Sequence, residues 1–287
     1  MHDPSERITL VRGDVELVLV PRRGGGIAAF RWRGVDVFRP ETGGDQPQDL
    51  ACFPLVPFSN RIALGRFVAG ADTIRLVPNL PGVSQPHAIH GIGWQCPWTV
   101  SAFGADHALL THCHHGQAWP WPYRADQHFE LDETGFYCRL TLRNDGPSAM
   151  PAGLGLHPYF PRADAVLDVR VTGQWDTDGT GLPTGWRALP APPDWFGGPP
   201  IDHVFTGRTA PITIDWPGRR LTITPADDLG FTVVYVPPGE DYFCVEPVSH
   251  MTDAVNRNEP EDVSGLRWLA PGELWHSMVH FAVGPAA

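Results

Sequence analysis

Four segments of this 287-residue chain gather histidine, acidic, arginine and glycine residues in patterns suited to acid–base chemistry. They are FPLVPFSNRIALGRF (53–67), HAIHGIGWQCPW (87–98), GLGLHPYF (153–160) and CVEPVSHMTDAVN (244–256). In GLGLHPYF, an extended backbone sends Gly153, Gly155 and His157 to one side. Two glycines beside a histidine would leave open space before the imidazole, and Pro158 then fixes the exit from the strand. In DYFCVEPV (241–248), Tyr242, Cys244 and Glu246 alternate onto one face. A carboxylate in that company is partly desolvated, which raises its pKa and makes it a stronger base near neutral pH. His157 and Glu246 are thus the candidates for proton transfer. Each has a plainer competitor: a packed core histidine, and a solvated glutamate on an edge strand.

Other residues suit binding better than proton transfer. Asn60-Arg61 follows an apolar, proline-bounded stretch, and an arginine fork suits hydroxyls or carboxylates. Its competitor is a structural salt bridge. Asp202, beside His203 in PPIDHVF, reads as a loop residue that binds hydroxyls or caps a turn. Trp94 could offer a flat apolar face to the C–H groups of a ligand. His87 and His90 have the spacing of half a zinc site, but no further ligands stand at matching spacing. HCHH (112–115) is a second metal-like fragment. Strand alternation would send His112 and His114 one way and Cys113 and His115 the other. A metal centre is therefore not expected, and neither is a nucleotide cofactor. The GGG run at 24–26 lacks the G-x-G-x-x-G form and a following helix.

The elements that must position these groups read as strands. Runs with period-2 alternation recur at 6–12, 14–20, 123–132, 135–144, 165–173, 219–225, 230–236, 241–248 and 273–283. No helix-period segment exceeds about two turns, and no repeat of about 20–50 residues stands out. The 31 glycines and 31 prolines are dispersed and read as turns. Proline-rich loops lie at 40–60, 78–98 and 183–201, and loops of that length are usually functional. The expected architecture is all-β, a large antiparallel β-sandwich forming one domain over 1–287. A net charge of −11 without a basic stripe argues against nucleic acid and anionic membranes as partners. The five cysteines form no CxxC pair, which suits a reducing cytosol. The N-terminus MHDPSERITL has no apolar core of a signal peptide, and no apolar run approaches a membrane span. A cytoplasmic location is expected, with oligomeric state open.

Taken in order, the NRI, His-Gly, HPYF and VEP…DAVN segments resemble the aldose 1-epimerase (galactose mutarotase) family. The resemblance runs from Phe53 to Asn256 and includes the closing LRWLAPGELW (266–275). It implies a galactose mutarotase-type sandwich with a sugar across a concave sheet, and no cofactor. It also implies site roles. His157 resembles the general acid on the ring oxygen, and Glu246 the base on the anomeric hydroxyl. His90 resembles a residue that supports the ring oxygen or binds sugar. Arg61 and Asp202 resemble sugar-hydroxyl ligands. Mutarotation opens a hemiacetal and closes it on the other face of C1, so one acid and one base on opposite sides of the C1–O5 unit are the minimum set. HGIGW and Ser249-His250 depart from the galactose enzymes and leave the sugar unassigned. Alternatives are a hexose-phosphate mutarotase using Arg22, Arg23 and Arg61, or a non-catalytic carbohydrate-binding protein. A glycosidase would need a second carboxylic acid beside Glu246, and a cupin-like metal isomerase would rest on His87 and His90 alone.

Overall fold

The structure is a computed structural model that describes residues 6–80, 85–257 and 259–286. The first five residues of the N-terminal run, and residues 81–84 of the loop at 78–98, lie outside the described residues. The described residues form two eight-stranded sheets, a four-stranded sheet and three two-stranded sheets, with every paired strand antiparallel to its neighbours. The helical content among the described residues is one α-turn, Glu261–Ser264, and four short 3-10 turns. This is the antiparallel β-sandwich that the alternation predicted.

The alternating runs fold where their pattern is cleanest. Gly135–Asn144 and Leu274–Gly284 form neighbouring strands whose residues alternate between buried and accessible. Such alternation buries one face of each strand and leaves the other toward solvent. The run at 165–173 is shorter than its pattern suggests. It pairs only over Val166–Asp168, and a second strand begins at Gly173. The main core draws on residues from Ile8 to Val283 and holds a cluster of edge-packed phenylalanines: Phe30, Phe38, Phe136, Phe160 and Phe281. Offset and edge-on ring pairs of this kind add roughly 0.5–1.5 kcal/mol each beyond burial. No helix among the described residues is long and apolar enough to cross a membrane.

The second eight-stranded sheet carries the chemistry. Its middle is the strand Tyr242–Val248, flanked on one side by Phe231–Val236. On the other side the chain runs through Gly155–Leu156 and Tyr159–Pro161. Gly155 pairs with Val248 and Tyr159 with Cys244. The register is thus the same on both sides of the His157-Pro158 break, and His157 stands opposite Glu246. Glu246 pairs with Val233, Cys244 with Tyr235, and Tyr235 with Asp202 on the next strand, Ile201–Thr206. Residues directly paired across a sheet share a face, so one face collects His157, Glu246, Cys244, Tyr235 and Asp202.

Candidate active site

His157, Glu246, Tyr235 and Asp202 of that face line an open cavity of about 410 Å³, while Cys244 is fully buried and outside the lining. His157 and Glu246 meet at its base, with His157 Nε2 3.3 Å from Glu246 Oε1. Both side chains are buried, Glu246 at 2% exposure. Glu246 is an interior-strand residue, which removes the solvated edge-strand reading. The pair lies side by side on one wall, not on opposite sides of a ligand. Phe53 stacks on the His157 ring at 4.5 Å, and Tyr159 lies 4.8 Å from it. These rings fix the imidazole plane and keep water from it.

Burial sets the electrostatics. It pushes the Glu246 carboxyl well above its usual range; the nearby Asp202 charge adds to this and Arg61 opposes it. It pushes His157 down to about 3, with Arg39 adding to the fall. Both shifts have one cause: a low-dielectric site disfavours charge on either partner. Glu246 Oε2 and His157 Nδ1 are buried without a hydrogen-bond partner among the described residues.

A short lock holds the next residues. Asn60 and His90 both adopt left-handed backbone conformations, φ 55° and 63°. The His90 N–H donates to Asn60 O at 2.9 Å, and the Asn60 N–H donates to His90 Nδ1 at 3.1 Å. His90 Nδ1 is therefore an acceptor, and the ring proton sits on Nε2. Burial, His157 and Arg61 all hold His90 well below its ordinary pKa, so it faces the cavity as a neutral hydrogen-bond donor. Asn60 Oδ1 accepts from the Arg61 N–H at 2.8 Å and from Arg61 Nη1 at 3.2 Å. Arg61 Nη2 reaches Asp202 Oδ2 at 3.3 Å. Asn60, Arg61, His90 and Asp202 make a polar wall beside the His157–Glu246 pair.

The same family emerges from the whole chain. The aldose 1-epimerase family model matches residues 6–282. This chain belongs to the aldose 1-epimerase family. The uncharacterized protein YphB of Escherichia coli K12 is 30% identical over 287 residues, spanning 92% of this chain and 94% of YphB. A crystal structure from Escherichia coli K12, assigned provisionally as an aldose 1-epimerase, matches with a TM-score of 0.87 at 28% identity, over 98% of this chain and 99% of that one. A galactose mutarotase-like protein from Clostridium acetobutylicum matches with a TM-score of 0.84 at 20% identity, over 98% and 95% of the two chains. At that identity the likeness is one of fold.

Against this aldose 1-epimerase frame, several site readings need correction. Trp94 is fully buried and lines no part of the cavity. It stacks under Phe53 at 5.1 Å, and its Nε1–H donates to Gly91 O at 3.2 Å. The tight turn Gly93–Gln95 tucks the indole inward, so it supports Phe53 and offers no face to a ligand. Gly153 and Gly155 do not clear space before His157. A Cβ on Gly153 would strike the His250 ring, and one on Gly155 would strike Val248. Their smallness lets the chain lie flat on its neighbours. Asp202 is on a strand, not in a loop. His203 turns the other way, with Nδ1 3.2 Å from Thr177 Oγ1. His87 accepts from the Leu64 N–H through Nδ1. Neither His87 nor His203 lines the cavity. In the HCHH tract, His112 and His114 are buried while Cys113 and His115 are exposed.

Sequence reasoning missed two kinds of residue. Arg39 lies over the rings of Tyr159 and Tyr242 at 4.1 and 4.7 Å and forms part of the cavity wall. It sits in FRPETGG, which carries no periodic or motif signal. His250 and Asp253 act from behind the site. His250 Nε2 accepts from the Ser59 N–H at 3.1 Å, and Asp253 Oδ1 accepts from the Ala63 N–H at 2.9 Å. Their signal was the SHMTDAVN string itself. It binds the NRI turn, not a ligand.

Proposed function

We propose that this protein is a mutarotase that interconverts the α and β anomers of a free aldose without a cofactor. The observation that carries the reading is the 3.3 Å His157–Glu246 contact at the floor of an open, sugar-sized cavity. O1 and O5 of a cyclic aldose are bonded to the same carbon, so a side-by-side pair reaches both. Burial keeps the resting pair neutral, and ring opening starts from its minor ionised form, reached when Glu246 passes its proton to His157 to give the carboxylate and the imidazolium. Glu246 takes the proton of the anomeric hydroxyl while His157 gives a proton to the ring oxygen, and the C1–O5 bond breaks. The products are an open-chain hydroxyaldehyde, a neutral carboxylic acid and a neutral imidazole. Burial favours that neutral pair, so the site relaxes toward charge neutrality as the ring opens. Rotation about C1–C2 and reversal of both transfers closes the other anomer. His90 Nε2–H supports the ring oxygen as a neutral donor. Arg61, Asn60 and Asp202 take sugar hydroxyls.

A hexose-phosphate substrate has less support. Arg22 is exposed and outside the lining, and Arg23 is held by Glu41 and the carbonyls of Gly44 and Gln46. Arg61 is paired with Asp202. All five cysteines are free, in keeping with a reducing cytoplasm. The test is polarimetry of freshly dissolved α-D-glucose, α-D-galactose and L-arabinose with EDTA-treated protein. Accelerated equilibration of at least one sugar is expected, and the ranking identifies the preferred stereochemistry. Spontaneous rates for all three would overturn the free-aldose reading.

A further inference from the structure

Among the described residues, one group of three offers ligand atoms close enough to share a metal ion: His157, Cys244 and Glu246. We propose that this triad is an inhibitory binding site for a thiophilic divalent cation of the zinc class. The blocking effect rests on the mutarotase reading above; the binding does not.

Cys244 and Glu246 are alternate residues of one strand and point the same way. His157 stands across the ladder from Glu246. The nitrogen, sulfur and oxygen donors all lie within 4.8 Å of one another. Zinc holds such donors at about 2.0–2.3 Å, so ligand atoms around it stand roughly 3.2–3.8 Å apart. The 3.3 Å His157–Glu246 separation already fits, and the other donor pairs, within 4.8 Å, would have to draw in toward that spacing on binding. A second observation points to a ligand. Glu246 Oε2 is buried with no hydrogen-bond partner, an arrangement that costs stability unless something occupies the site. Three protein ligands leave the fourth position of a tetrahedral ion toward the cavity.

The donor set selects the ion. A thiolate favours zinc or cadmium over magnesium and calcium, which prefer oxygen cages. On binding, the Cys244 thiol and the Glu246 carboxyl each release a proton to solvent, and the ion is held by a thiolate, a carboxylate and a neutral His157 ring nitrogen. The ion then occupies the lone pairs that would accept and deliver protons, and it sits where O1 and O5 must lie. Inhibition should therefore compete with sugar. Cys244 plays no part in the proton transfers, so it can be removed while the reaction is kept.

The test uses the full chain with Cys96 and Cys113 changed to serine, since these are the thiols that are not fully buried. Cadmium, as a spectroscopic stand-in for zinc, should add one ultraviolet thiolate-to-metal charge-transfer band at one equivalent. C244S or C244A should abolish the band. In polarimetry, zinc should slow mutarotation, with relief by EDTA and by excess sugar, and magnesium should not. C244S should turn over sugar near the parent rate and need at least tenfold more zinc for half-inhibition. Uptake of no cadmium, a band that survives C244S, or equal zinc sensitivity of C244S and parent would overturn the site. If no sugar is turned over at all, the mutarotase reading fails while the cadmium band still decides the metal site.

Discussion

At the scale of single residues, the site works by burying two groups that would rather be charged. E246Q and H157N should each slow mutarotation by about 10²–10⁴-fold while still folding cooperatively, as general acid–base groups typically contribute that much. Polarimetry together with a thermal melt separates the two effects. E246Q carries a further sign. The folded carboxyl titrates well above its usual range because it is buried, so the folded chain holds a proton that the unfolded chain has already lost. The parent should lose stability as pH rises from the ordinary carboxyl range through that raised value. E246Q should lack this decline and melt higher than the parent at pH 8. Trp94 tests the opposite case. Because it supports Phe53 from beneath, W94F should cost about 1 kcal/mol through the lost bond to Gly91 O and leave the KM for sugar unchanged. A large rise in KM would return Trp94 to the cavity.

At the scale of elements, the turn through Ser59–Leu64 is clamped by three imidazoles from two segments. His250, His90 and His87 accept from the N–H groups of Ser59, Asn60 and Leu64. A two-residue strand at Arg61–Ile62 could not hold its own shape, and the rings replace the ladder bonds it lacks. H250L would leave the Ser59 N–H buried and unpaired. We expect a loss of about 1–3 kcal/mol, read by urea unfolding. We also expect a raised KM, because the displaced turn carries Asn60 and Arg61. Gly91 meets a harder limit. Its φ is +71°, and a Cβ there would lie 2.0 Å from Val56 O. G91A should cost at least about 2 kcal/mol and should weaken the lock between His90 and Asn60.

At the scale of the whole molecule, buried histidines set the acid limit of stability. Burial pushes His112 and His250 down to about 4, and the neighbouring His114 adds to the shift at His112. Above pH 6.5 these rings are neutral in both folded and unfolded chains. Below it the unfolded chain takes up protons that the folded chain refuses, so stability falls steadily to about pH 4. For the fully buried His250 the loss by pH 4 is on the order of 3 kcal/mol. Melting temperatures measured from pH 7.5 to 4.5 should drop accordingly. H112F should reduce the drop, because its ring has no proton to gain. Glu246 acts in the opposite direction from the ordinary carboxyl range upward, so above the histidine range its slope is left unopposed and stability should peak near pH 6.5.

Local pattern carried much of this. Period-2 alternation marked Gly135–Asn144 and Arg219–Pro225 because a half-buried sheet forces apolar and polar residues to alternate, and that needs no partner to be read; Tyr242–Val248 was also read as a strand, though it is buried on both faces. It also put Tyr242, Cys244 and Glu246 on one face, since alternation within a strand is a property of the backbone. The motif string from NRI to DAVN was likewise legible, because chemistry restricts residue types at short spacing. Pairing between distant segments was not legible. Nothing in GLGLHPYF says that its register runs unbroken past Pro158, yet that register sets His157 against Glu246. Trp94 looked like a binding face until packing turned it under Phe53, and Arg39 had no signature until Tyr159 and Tyr242 closed around it. Side-chain type and alternation are written locally. Which side chains meet, which are buried and which line a cavity are decided by long-range pairing and packing, and these exist only once the sheets have formed.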